Sequence, residues 1–289
     1  MKGSLKVAAS QLNLSLTLQS GQAFRWRNKF INDNSLWFGV IDNYALSLYQ
    51  DTLHNVINYT VYNLNQTKKD DLTTGKPKRS KRFKTEQKSF GREAVEKAIY
   101  DYFQLDVCLE ELYKKWSKSD DNFARIAKEF SGVRIVRQDP VENLFSFICS
   151  SNNNIERISK MVENMCYKFG NEIADVDGYG KIFAFPSIKT LAMDNVEDEL
   201  RKICFGYRAK FINQSAKFIM DKHPDQPEKW LLSLRNLSYE QCHELLCELP
   251  GVGAKVADCV CLMSLNHHNA IPIDTHVWQI AARDYFYLN

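Results

Sequence analysis

The chain has 289 residues, 44% of them hydrophobic and 12% aromatic, enough for a sizeable core in one large domain or two ordinary ones, and no run of about 18 apolar residues offers a membrane span. The opening "MKGSLKVAASQLNLSL" lacks the apolar stretch of a secretory signal, and the eight cysteines (Cys108, Cys149, Cys166, Cys204, Cys242, Cys247, Cys259 and Cys261) hold no C-x-x-C pair, so they read as reduced, mostly buried intracellular thiols. The net charge of +3 is uneven: residues 68–92 carry ten Lys/Arg against three Asp/Glu, a net +7 that leaves −4 on the remainder and confines any polyanion surface of the folded body to a local patch.

In chain order, residues 5–62 predict strands. "LSLTLQSGQAFRWR" and "SLWFGVIDNYALSLYQ" alternate apolar and polar residues with Gly, Asn and Asp at turns, and "NYTVYNL" is a further short strand. Residues 64–92 then lose periodicity and predict a disordered basic insertion, either a solvated loop or, through "KPKRSKRFK", an import signal or polyanion contact. From Glu93 onward the pattern is helical. "EAVEKAIYDYF", "LEELYKKW", "DNFARIAKEF", "VENLFSFICSS", "IERISKMVENMCYKFG", "EDELRKICF", "YRAKFINQSAKFIM", "YEQCHELLCEL", "AKVADCVCLMSL" and "THVWQIAARDYF" all repeat apolar residues at i, i+3, i+4 and i+7. No strand is expected among these helices. The fold class is therefore α+β: an N-terminal antiparallel β domain over 1–104 and a mainly helical body over 105–289, with two helices around a tight turn at 240–265. The last helix starts near Asp274, and the still-aromatic ending "RDYFYLN" leads us to expect a domain that lacks its final helix.

The tight turn lies in "CELPGVGAKVADCVCLMSL". Pro250 stops one helix, Gly251 and Gly253 permit a sharp reversal, and the next helix begins near Ala254 with free N–H groups, which make an anion site. A Walker loop is excluded because Val256 follows the lysine, and a dinucleotide fingerprint lacks its third glycine and preceding strand. A two-glycine hairpin between helices fits backbone-amide contact with a DNA phosphate. Lys255 sits one turn before Cys259 on a partly apolar face. There it is either a snorkelling lysine or an amine kept free by desolvation and the helix dipole, able to attack an electrophilic carbon and form a Schiff base. Asp274 reads as an N-cap, as a carboxylate facing Lys255, or as both, and His276 as a phosphate contact or a surface residue.

These segments together carry a resemblance. "LPGVGAKVADCVCLMSL" followed by "AIPIDTHVWQIAARDY", with "LQSGQAFRWR", "YFQLDV", "RQDPVENLFSFICSSNNNIERI" and "GYRAKFI", resembles the eukaryotic 8-oxoguanine DNA glycosylase/AP lyases, members of the helix-hairpin-helix glycosylases. The likeness runs along most of the chain and leaves out only the basic insertion. It implies that Lys255 attacks C1′ of the damaged nucleotide and that Asp274 stabilises the sugar cation. It places Cys259 against the flipped base and gives the Gly21 carbonyl the N7–H that guanine lacks. It assigns Asn152 to the vacated stack, Arg157 and Arg208 to the orphaned cytosine, and Tyr207 to a wedge. The hairpin around Gly251, Gly253 and Val256, with His276, would hold phosphates.

The implied partner is double-stranded DNA with 8-oxoguanine opposite cytosine, bound by a monomer in the nucleus or the mitochondrion, with no membrane contact. No cofactor is required, and a structural cation at the hairpin carbonyls is implied by relatives. The family carries a further C-terminal helix that completes the base pocket. The expectation for this polypeptide is therefore weak or absent excision, and the competing reading is a non-catalytic DNA-binding fragment. The absence of clustered cysteines argues against the iron–sulfur endonuclease branch.

Overall fold

The computed structural model describes residues 1–31, 34–62 and 91–285. Strands β1 (Lys2–Lys6), β2 (Arg27–Ile31), β3 (Asn34–Ile41), β4 (Tyr44–Asp51) and β5 (Val56–Tyr62) form one antiparallel sheet in the order β1-β5-β4-β3-β2. Alternation is clearest in β5, where Ile57, Tyr59 and Val61 are buried between less buried neighbours. Asp42 and Asn43 make the two-residue turn between β3 and β4 at φ 47° and 68°, a conformation these short polar side chains tolerate.

One expected strand is a helix. "LSLTLQ" forms α1 (Leu14–Gln19), because Asn13 accepts from Leu16 N at 3.0 Å and because Leu14, Thr17 and Leu18, at helical spacing, are the buried residues. The same leucines also alternate, so both periods fit, and Thr17 tips the balance: its hydroxyl donates to the Gly132 carbonyl at 3.3 Å inside the fold.

Helix α2 (Arg92–Tyr102) packs on the sheet, and the helical body follows as α3 (Leu109–Ser119), α4 (Asp121–Ile126), α5 (Pro140–Ile148) and α6 (Ile155–Phe169). The helix expected over 121–130 closes after Ile126. None of the residues of α4 is buried, so packing does not reward further turns. Contrary to expectation, a hairpin of β6 (Glu172–Val176) and β7 (Gly180–Phe183) interrupts the helices. Its Ala174, Val176 and Ile182 pack with Phe38 and Ala45 of the N-terminal sheet, so a few alternating residues sufficed where a second apolar surface was waiting. Next come α7 (Ile188–Leu191), α8 (Val196–Lys202), α9 (Arg208–Lys222), α10 (Pro227–Ser233), α11 (Tyr239–Cys247), α12 (Ala254–Ser264) and α13 (Thr275–Asp284). Sequence periodicity missed the short α7 and α10. The basic insertion lies outside the described residues save for Gly91 and Arg92, as do the last four residues of the chain. Among the described residues no helix is long and apolar enough to cross a membrane.

Two cores meet. One joins the sheet to α1 and α2 through Trp26, Tyr102 and Phe103, with the Trp26 indole donating to Tyr102 Oη at 2.9 Å. The other fills the helical body around α5 and α12. These two helices run antiparallel: Gln138 N donates to Met263 O at 2.7 Å beyond one end, and Lys255 meets Ser150 at the other. Phe24 belongs to the helical core although its neighbours belong to the N-terminal part, so the loop after Gly21 is carried into the helical body.

Candidate active site

Helix α11 begins with a capping box, Ser238 and Gln241 satisfying each other's backbone N–H groups. After Pro250, Gly251 sits at φ +81°, and a Cβ there would lie 2.5 Å from the Phe211 side chain, so conformation and space both demand glycine. Gly253 differs. It caps α12 in extended geometry, without a side-chain cap, and its missing Cβ would meet nothing within 4 Å. The start of α12 is therefore free of a side-chain cap and open on the side of Gly253, which suits a phosphate at its first N–H groups. The hairpin is braced from behind: Ser215 Oγ donates to Pro250 O at 2.6 Å, and Tyr239 Oη donates to the buried Asp258 at 2.6 Å. That bond to Asp258 pushes the Tyr239 hydroxyl up to about 12.

Lys255 is half-buried in the first turn of α12. Its Nζ donates to Ser150 Oγ at 3.4 Å and lies 5.0 Å from the centre of the Phe147 ring. One turn on, Cys259 is 2% exposed. Burial pushes its thiol up to about 12; Lys255 pulls the other way, and Asp258 and Asp274 add smaller upward pushes. The thiol therefore stays neutral at ordinary pH, and Lys255 and Asp274 each lie near enough to act on it. Asp274 is the N-cap of α13: its Oδ1 accepts from His276 N at 3.0 Å and Val277 N at 2.9 Å, and it makes no ion pair with Lys255. The His276 ring is exposed.

The loop after α5 divides its labour among three asparagines. Asn153 donates to Cys149 O at 2.9 Å, Asn154 caps α6 by accepting from Arg157 N, and Asn152 is left exposed at φ 46° with an unengaged side chain. Tyr207 Oη donates to Ser151 O at 3.1 Å. Arg208, 3% exposed, donates to the carbonyls of Ser151 and Asn152, the latter at 3.0 Å. Arg208 thus grips the loop's backbone here, while Arg157 is exposed. Gly21, at φ +79°, packs under Ile155, whose Cδ1 would lie 2.8 Å from an added Cβ. The loop after α1 and the start of α6 are therefore neighbours.

Sequence reasoning missed the residues that hold these loops. Gln22 is buried and its side chain spans Thr17 O at 3.1 Å, Arg134 O at 2.7 Å and Val136 N at 2.9 Å. Arg25 donates to Glu142 at 2.8 Å and to the Phe183 carbonyl. Polar residues inside "SGQAFRW" were the available signal, but nothing in the string says which carbonyls they meet. A cavity of about 440 Å³ lined by Arg25, Asp42, Asp139, Glu142 and Glu228 does not include Lys255, Cys259 or Asp274. Among the described residues no group of three or more His, Cys, Asp or Glu side chains could hold a metal ion, so a cation at the hairpin would rest on backbone carbonyls.

A helical hairpin with a half-buried lysine in the first turn of its second helix, followed by a helix that an aspartate caps, defines the class of helix-hairpin-helix base-excision glycosylases, and residues 145–289 match the HhH-GPD superfamily of base excision DNA repair proteins. Residues 4–144 match the N-terminal domain of 8-oxoguanine DNA glycosylase. The N-glycosylase/DNA lyase OGG1 of Arabidopsis thaliana is 38% identical over 277 residues, covering 96% of this chain and 67% of its own length. The N-glycosylase/DNA lyase of Saccharomyces cerevisiae is 36% identical over 289 residues, covering 98% and 71%. The solved structure of MBOgg1 in complex with a low affinity DNA ligand superposes with a TM-score of 0.79 at 27% identity, over 99% of this chain and 84% of that one. The chain belongs to the 8-oxoguanine DNA glycosylase family, the N-glycosylase/DNA lyases of base-excision repair.

Proposed function

We propose that this chain excises 8-oxoguanine lying opposite cytosine in duplex DNA and cleaves the strand there, with Lys255 as the nucleophile. The observation that carries the reading is the placement of Lys255: a half-buried amine on the first turn of the hairpin helix, against Cys259, a thiol that Asp274, the cap of α13, also acts on. Phosphates meet the open N–H groups of α12, which hold the strand without reading its sequence. The damaged nucleotide leaves the stack, and Asn152, the unengaged side chain of its loop, takes the vacated place. Arg157 reads the cytosine, and Arg208 joins it by releasing a loop carbonyl. The Gly21 carbonyl accepts the N7–H of 8-oxoguanine; against guanine that buried acceptor stays unpaired, a penalty of roughly 1–3 kcal/mol.

The free amine of Lys255 attacks C1′ and the C1′–N9 bond breaks. The base leaves with that electron pair and takes up a proton, while the new C–N bond sheds one. The Asp274 carboxylate faces the positive charge that builds on the sugar. The nitrogen lone pair then forms the C=N bond as the C1′–O4′ bond opens, its electron pair leaving on O4′, which takes up a proton, and yields the protonated imine. Loss of a C2′ proton then expels the 3′ phosphate, and water hydrolyses the imine to restore Lys255.

The test is borohydride trapping on a duplex with 8-oxoguanine opposite cytosine. We expect a covalent adduct with the natural chain and none with Lys255→Gln, which should still bind the lesion duplex because the hairpin amides remain. An adduct in the variant would overturn the assignment of the nucleophile. Lesion binding without any adduct in the natural chain would select the non-catalytic DNA-binding reading.

A further inference from the structure

We infer that Ser150 is a positioning residue for the Lys255 amine: it holds Nζ from one side as an acceptor and so leaves the nitrogen lone pair free for C1′. The inference rests on Lys255 being the nucleophile. Ser150 follows the C-terminal end of α5, 105 positions from Lys255 in the chain, and touches it only because α5 and α12 pack antiparallel. Its hydroxyl makes two contacts of unequal length. Oγ donates to the Phe147 carbonyl at 2.7 Å, and Lys255 Nζ donates to Oγ at 3.4 Å. The shorter bond consumes the only proton that Ser150 has. The hydroxyl can therefore receive an N–H from Lys255, but it cannot donate to the amine's lone pair, which a freely rotating hydroxyl or a water would do. A contact as long as 3.4 Å steers the amine without immobilising it.

A second boundary comes from the same turn of α5. The Phe147 ring lies 5.0 Å from Nζ and is 4% exposed. It is wedged edge-on against Phe24, with ring centres 5.2 Å apart, on the loop that carries Gly21. Hydroxyl and ring together close two sides of Nζ. The next two residues, Ser151 and Asn152, have the carbonyls gripped by Arg208, so one short run of backbone fixes both the amine's seat and the intercalating loop. A misplacement of the attacking atom by about 1 Å can cost on the order of a hundredfold in rate, so a single steering contact has a measurable effect.

The test compares Ser150→Ala and Ser150→Thr with the natural chain in single-turnover borohydride trapping on saturating duplex with 8-oxoguanine opposite cytosine, alongside dissociation constants and melting temperatures. Threonine keeps a hydroxyl that can bond both Phe147 O and Nζ. The expected result is adduct formation slowed about tenfold in Ser150→Ala, with the dissociation constant within about twofold of the natural chain, and a rate in Ser150→Thr restored to within about twofold. Two results would overturn the inference: an unchanged rate in Ser150→Ala, or an equal slowing in both variants, which would mean that Ser150 only terminates α5. Lys255→Gln runs as the control; an adduct there would remove the nucleophile assignment itself, a failure distinct from that of Ser150.

Discussion

Asp274 combines two duties that one substitution separates. Its Oδ1 caps α13 through two backbone N–H groups, and its charge lies near enough to Cys259 to push that thiol up. Asparagine caps about as well as aspartate but carries no charge. Asp274→Asn should therefore melt within about 2 °C of the natural chain and lose at least tenfold in single-turnover excision. Asp274→Ala should lose about 1 kcal/mol of stability as well. Full activity in Asp274→Asn would mean that the cap alone matters. The cap was legible, because Asp before a helical pattern is a local signal. The roles within "SSNNN" were not. Three identical side chains carry no distinguishing mark, and only the surrounding carbonyls and amides assign Asn153 to a tether, Asn154 to a cap and Asn152 to the open position. Arg208 shows the same limit: its type announces donors, but the fold turns them onto the backbone of Ser151 and Asn152.

At the level of the element, the hairpin's two glycines predict opposite phenotypes. Gly251→Ala combines a positive φ with a clash at Phe211 and should destabilise the fold by roughly 2 kcal/mol, read as a lower melting temperature. Gly253→Ala strains nothing within the chain, since φ is −106°, ψ is −179° and no atom lies within 4 Å of the added carbon. It should melt normally yet bind duplex DNA severalfold more weakly at fixed salt, because the methyl group intrudes where a phosphate approaches the α12 amides. Normal DNA affinity in Gly253→Ala would remove the hairpin from the interface. The hairpin and most helices were legible because their periods are local. "LSLTLQ" was not, since three leucines two apart satisfy a strand and a helix alike and the burial of Thr17 decides between them. The β6–β7 hairpin was hidden for a related reason: its few alternating residues gain stability only from Phe38 and Ala45 of a distant sheet.

For the molecule as a whole, the thiols report how tightly the helical core closes. Cys149, Cys166, Cys242, Cys259 and Cys261 are buried, and burial pushes their thiols up, to about 11 for Cys166 and Cys242 and to about 12 for the other three, from an ordinary value of 9.0. A folded value raised above the unfolded one contributes stability that is fully present below pH 9.0 and is lost as pH rises toward 11 and 12, because the unfolded thiols ionise first. Circular-dichroism melts should therefore show the midpoint falling progressively above about pH 9; a midpoint flat to pH 10.5 would sink this account. At pH 8 the exposed Cys108, Cys204 and Cys247 should react with a thiol reagent well before the rest. The sequence by itself determined the fold class, the helix-hairpin-helix, the lysine on its second helix and the aspartate that starts the last one, because caps, turns and helical faces are written within a few neighbouring residues. Only the tertiary structure decided that Gln22 and Arg25 brace the loop after Gly21, and what surrounds that lysine: Ser150 and Phe147 at the end of α5. Those contacts depend on how α5 and α12 register against each other, and that register is set by the packed volume of the whole core, which no local period encodes.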